Sequence, residues 1–186
     1  MKKISTTLLM CAAVLFMASC SSDDDSSSDD LRFGSGDGTV TVDGNTFDFD
    51  KGIVLEYGEN DDNGTFNFDI ELFSGNISAN LEEGISGTGN YMYLELNSDQ
   101  ESALKNGTYT FGFDDTDLSL TDSEFYVDYN FGTDDFTEFY NVTGGTVDLT
   151  RSGSNYTVTF DLEVNGSLPL TGSYSGSLRA EDLRED

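Results

Sequence analysis

The chain has 186 residues, with 36 Asp and Glu against 8 Lys and Arg, no His and no Trp. That balance excludes the Ser-His-Asp type of triad and His-ligated zinc, copper or iron. It also argues against nucleic acid as a partner, because binding to phosphate rests on Lys and Arg.

Residues 1–19 read as a removable signal peptide. Met1-Lys2-Lys3 is a basic start, a mostly apolar stretch runs from Ile4 to Phe16, and small residues precede Cys20. The densest apolar run, Leu8 to Ala18, is 11 residues. A spanning helix needs about 20. Met17-Ala18-Ser19-Cys20 resembles the lipobox of bacterial lipoproteins, with Met17 where Leu is usual and Ser19 where Gly or Ala is usual. The resemblance implies that the Cys20 thiol is diacylated, by palmitate-type chains, and that Cys20 becomes the mature N-terminus. Ser21-Ser22-Asp23-Asp24-Asp25 follows, and it is similar to the surface-export signal of Bacteroidota lipoproteins. It implies an outer-membrane location facing the cell exterior. Two or more acyl chains suffice for stable anchoring.

With Cys11 removed and Cys20 acylated, the mature domain has no disulfide. Lys2 and Lys3 leave with the signal, so the mature charge is 6 minus 36, or −30. Such a charge favours solubility and mutual repulsion. Residues 20–38, rich in Ser, Asp and Gly, read as a flexible tether.

A single β domain is expected over 39–179, with an acidic tail at 180–186. Val40 and Val42 alternate with threonines, and Asp43-Gly44 is a hairpin turn signal. Phe47 and Phe49 continue one apolar face, followed by Ile53, Leu55 and Tyr57. Phe66, Phe68, Ile70 and Leu72 alternate with Asn67, Asp69 and Glu71, which the period places on a wet face. Met92, Leu94 and Leu96 form the next inward set, with Tyr91 and Tyr93 pointing outward.

Ser98-Asp99-Gln100-Glu101 has the capping-box pattern and predicts a short helix near 99–105. Tyr109, Phe111 and Phe113 suggest a strand. Phe125, Val127, Tyr129 and Phe131 read as one inward face, with Tyr126 outward. A less regular strand spans 136–142, and Val147 and Leu149 make another. Tyr156, Val158, Phe160, Leu162 and Val164 form the cleanest alternation of the chain. The last strand spans 168–178 with Leu170, Gly172, Tyr174 and Gly176 inward; its glycines imply close backbone approach. Regularly spaced turn signals give an all-β fold of about ten strands, either an antiparallel β-sandwich or a flattened up-and-down barrel.

Three chemistries remain. Glu59-Asn60-Asp61-Asp62-Asn63-Gly64 resembles the front half of an EF-hand loop, which makes Glu59, Asp61 and Asn63 candidate Ca2+ ligands. The closing acid of such a loop falls on Ile70, and an acidic hairpin turn explains the same residues without metal. The aromatic cluster from Phe125 to Tyr140 could serve a glycan or protein ligand, but Phe125, Tyr129 and Phe131 fall on the face read as core, and an exposed Tyr on a strand is ordinary β-propensity. Abundant carboxylates leave a carboxylate-dependent glycan hydrolase as the alternative, which needs two carboxyls about 5–9.5 Å apart. The expectation is a lipid-anchored, non-enzymatic surface protein with a binding or structural role.

Overall fold

The computed structural model describes residues 33–60, 64–80 and 84–184. Twelve strands follow in chain order: β1 (Gly34–Val42), β2 (Asn45–Glu59), β3 (Phe66–Phe73), β4 (Ser78–Asn80), β5 (Gly84–Ser86), β6 (Thr88–Ser98), β7 (Gly107–Phe111), β8 (Ser119–Asn130), β9 (Glu138–Ser152), β10 (Asn155–Val164), β11 (Leu168–Ser177) and β12 (Arg179–Asp182). The order around the sheet is β1-β11-β10-β9-β7-β8-β6-β3-β2, and β2 pairs back onto β1. These nine strands close a barrel, and closure removes the exposed edges a sandwich would have. Asp43 and Gly44 both take positive φ in the β1–β2 turn, as a two-residue hairpin requires.

The barrel is mixed, not purely antiparallel. β8 and β9 pair over Glu124–Val127. β7 enters between them farther along, antiparallel to β9 and parallel to β8. β12 adds to β2 in parallel, from Arg179 opposite Ile53 to Asp182 opposite Glu56. β1 therefore begins inside the stretch read as tether, and β12 lies partly in the stretch read as tail. Hydropathy finds Val40 and Val42 but misses the first half of β1, because its inward positions are glycines. Gly36 faces Gly176 across the ladder, and a Cβ on Gly36 would lie 2.6 Å from the Tyr174 ring. Small residues there admit the large one.

Alternation then fills the interior. β10 reads exposed-buried from end to end, with Tyr156, Val158, Phe160, Leu162 and Val164 inward. Phe125 packs against Phe47, Phe49 and Tyr140 at ring separations of 5.4, 6.0 and 5.8 Å. The buried hydroxyls of Tyr109 and Tyr174 donate to the Lys105 and Ser177 carbonyls at 2.8 and 2.9 Å. The barrel centre is thus packed side chains, as expected where inward residues are this large.

The helix near 99–105 does not form. Ser98 remains a buried end of β6, and its hydroxyl accepts from the Gln100 amide at 3.2 Å. The Asp99 amide instead donates to Asp117 Oδ1 at 3.0 Å, while Lys105 bridges Asp99 and Asp117. So short a helix gains little against its nucleation cost, and these contacts with the β7–β8 loop take its place.

A second cluster lies outside the barrel wall. Ile53, Phe73 and Ile77 are buried there, with Phe33, Leu55, Ile85, Tyr91 and Phe131 packed around them. The apolar run Ile53-Val54-Leu55 serves both sides of the wall, since Val54 belongs to the main core.

Candidate functional site

The outer cluster extends into an aromatic strip along β8 and β9. Tyr126 faces Phe139 across the two strands, with ring centroids 4.9 Å apart. Phe136 sits 5.4 Å from Tyr126, and Tyr129 sits 5.0 Å from it on the other side. From Tyr126 the contacts run on to Tyr91 at 5.8 Å and from there to Phe73 at 5.3 Å, both stacked. One end of the array is buried and the other is open: Phe73 is fully covered, whereas Phe136 is 48% and Phe139 37% exposed.

A break in the strand builds this arrangement. Phe125 and Val127 point inward as expected, and Tyr126 outward. Asp128 then takes a φ of +53°, a conformation that Asp tolerates better than most residues. Beyond it, Tyr129 and Phe131 join the outer array instead of the core, which corrects the inward placement expected for both. Phe113, expected as a strand residue, lies past the end of β7 and is 92% exposed. It stands 5.5 Å edge-on to Phe111 and borders a groove of about 250 Å³ that also touches Asp122 and Asn141.

Carboxylates surround these rings and use the tyrosines as donors. Tyr126 donates to Glu124, Tyr140 to Glu138, and Tyr129 to Asp134 at 2.8 Å. Tyr91 donates to Glu71 at 2.9 Å and Tyr93 to Glu95 at 2.8 Å. Three of these pairs are two residues apart on one strand, where period two places both side chains on the same face. In a chain with so few cations, tyrosine hydroxyls supply the hydrogen bonds that Lys or Arg would otherwise give. Burial, followed by the Glu124 hydrogen bond, pushes the Tyr126 hydroxyl well above its ordinary range, so it stays a donor at neutral pH.

Asp69 and Glu71 were expected on a wet face and are only 4% and 8% exposed. Tyr57, Tyr91 and Tyr93 stand around them. Glu71 Oε1 receives the Tyr91 hydroxyl, while Glu71 Oε2 and Asp69 Oδ1 have no partner. Burial, reinforced by the Glu95 charge, raises the Asp69 carboxyl to about 8, and burial raises Glu71 as well. Asp69 is therefore held protonated at neutral pH, which avoids a naked buried charge. Strand alternation gave no signal for this pair.

The remaining sequence candidates are distributed as follows. Cys20, Ser21, Ser22, Asp23, Asp24, Asp25, Asp61 and Asn63 lie outside the described residues. Glu59 ends β2, and its Oε1 accepts from the Gly64 amide at 3.1 Å, a turn-closing role. Gly64 takes a φ of +80°, as a turn glycine does. Among the described residues, no three Asp, Glu, Cys or His side chains are gathered as a metal ion would require. Of the other acidic turns, Asp117 is occupied by Lys105, and Asp134 by Tyr129. No family model, curated protein or solved structure matches the chain.

Proposed function

We propose that the protein is a lipid-anchored lipoprotein of the outer membrane, exposed to the cell exterior, and that it binds a ligand through the aromatic strip of β8 and β9. The observation that carries the binding reading is the half-exposed pair Phe136 and Phe139 on a wall whose other side is already filled. Large apolar rings left in water at one contiguous place are characteristic of a recognition surface. The anchor reading rests on the lipobox-like sequence at Cys20 and the acidic run behind it. A hydrolase is the weaker reading. Of the carboxyls with raised pKa, Asp69 and Glu71 are closed off beneath tyrosines and Glu56 is paired with Arg184, so none of them offers a glycan the open pair of carboxyls that hydrolysis needs.

Two measurements test this. Replacing Cys20 by Ala moves the protein from the membrane fraction to the soluble fraction; unchanged partitioning contradicts the anchor. For the strip, the full-length protein in neutral detergent is applied to peptide and glycan arrays beside a Phe136→Ser/Phe139→Ser variant. Binding lost in the variant supports the strip as the recognition surface. Equal binding by both proteins, or none by either, removes that assignment.

A further inference from the structure

We infer that the strip takes a basic polypeptide segment, its Lys or Arg side chains laid across the aromatic faces and one of them seated in the groove beside Phe113. This rests on the strip being the binding surface and specifies its partner. The inference follows from charge and from what shares the surface with the rings.

Along the outer face of β8 run Asp122, Glu124 and Tyr126, and across from them on β9 lie Asn141 and Phe139, Glu124 facing Asn141 and Tyr126 facing Phe139. Asp128 and Asp134 border the far end, and Asp122 lines the groove at the near end. The cations of the described residues are engaged elsewhere. Lys51 reaches Asp50 and the carbonyls of Gly75 and Ile77, and Lys105 bridges Asp99 and Asp117. Arg151 lies over the Tyr156 ring, Arg179 pairs with Glu181, and Arg184 pairs with Glu56, Glu101 and Asp182. None of them lines the groove or the strip.

Among the described residues, the surface therefore pairs π-faces with carboxylates and carries no positive charge. A guanidinium or ammonium is attracted to both, and its aliphatic stem covers the exposed ring edges. The tyrosine hydroxyls held by Glu124 and Asp134 fix the rings without neutralising those carboxylates. The 250 Å³ groove between the Phe111 and Phe113 rings and Asp122 is large enough for one such side chain. The same charge disfavours two other occupants. The Ser/Asp segment at 21–30 is itself acidic, and a second copy of the chain would bring a second large negative charge.

A chain this acidic attracts any basic peptide, so the test must separate the strip from the general field. The full-length protein in neutral detergent is titrated with three probes at two salt concentrations. The probes are a synthetic peptide of alternating Arg and Gly, its counterpart with citrulline for arginine, and neutral β-linked gluco-oligosaccharides. Three variants are compared with the native chain: Phe136→Ser/Phe139→Ser, Asp122→Asn/Glu124→Gln, and Asp37→Asn/Asp48→Asn. The last pair removes the same charge from exposed positions of β1 and β2, strands that pair with neither β8 nor β9.

The expected result is that both strip variants weaken Arg-peptide binding by about tenfold or more, while the β1–β2 variant changes it less than about twofold. The citrulline peptide binds poorly throughout. Equal losses in the two charge-removal variants would mean a nonspecific field and overturn the inference. Oligosaccharide binding that depends on Phe136 and Phe139, without strip-dependent Arg-peptide binding, would overturn the basic partner and keep the binding surface. Absence of strip-dependent binding for every probe would overturn both. Unchanged thermal midpoints certify folding; if the Phe136→Ser/Phe139→Ser variant fails that check, the two charge-removal variants decide alone.

Discussion

β3 and β10 have the same hydropathy pattern and opposite fates. Both alternate apolar and polar residues, β3 as far as its closing Leu72-Phe73, yet β10 has one buried and one wet face, while the outer residues of β3 from Asp69 on are as buried as the inner ones. Their neighbours explain the difference. β10 lies between β9 and β11, whose outward residues beside it include Asp148, Thr150, Thr171 and Ser173. β3 lies between β2 and β6, which present Ile53, Leu55, Tyr91 and Tyr93 on the outer side. A strand's own period sets which residues share a face. Whether that face is wet is set by the strands beside it and by what packs over them.

The contrast can be broken first at the core. Phe160 is a fully buried inward residue of β10, and Phe160→Ala should cost about 3–5 kcal/mol in chemical denaturation. Thr159→Ala, one residue along on the wet face, should stay within about 0.5 kcal/mol. Similar values for the two would mean that β10 is not one-sided and would remove the comparison at its root.

Much of this architecture is readable from sequence, and the misreadings have physical causes. The inward sets of β3, β6, β10 and β11 and the outward position of Tyr126 follow from period two, and the β1–β2 turn follows from the Asp43-Gly44 pair. The glycines of β11 signalled close approach, and Gly176 does meet Gly36 across the ladder. The first half of β1 was obscured because its side of that contact carries no hydropathy. Tyr129 and Phe131 were misplaced because one positive φ, at Asp128, turns the remainder of the strand over. The capping box at Ser98 was a real local preference that contacts with Asp117 outweighed. The aromatic strip was visible as composition. Its exposure was not, because that depends on the break at Asp128 and on the β8–β9 register. The burial of Asp69 and Glu71 was legible only indirectly. Ile53-Val54-Leu55 and Tyr91-Met92-Tyr93-Leu94 are apolar or aromatic at both parities, and such strands bracket a neighbour that is covered on both faces.

The outer face of β3 gives the more delicate test. In the folded chain Asp69 keeps its proton up to about pH 8, whereas in the unfolded chain it loses it near the ordinary carboxylate value of 3.8. Between these values the folded state binds more protons, so Asp69 lowers stability progressively as pH rises from about 4 to 8. Asp69→Asn keeps the shape and removes the proton. It should raise unfolding free energy by about 2 kcal/mol at pH 8, with the gain shrinking towards pH 4. Relief of general acidic repulsion at low pH acts on both proteins and cancels in their difference. A difference that stays flat from pH 4 to 8 would mean that the Asp69 carboxyl titrates as a solvated group. The outer face of β3 would then be wet like that of β10. If the difference instead follows the expected slope, the tyrosine cover over β3 is a real exclusion of water, and the buried end of the aromatic array gives its open end a fixed support.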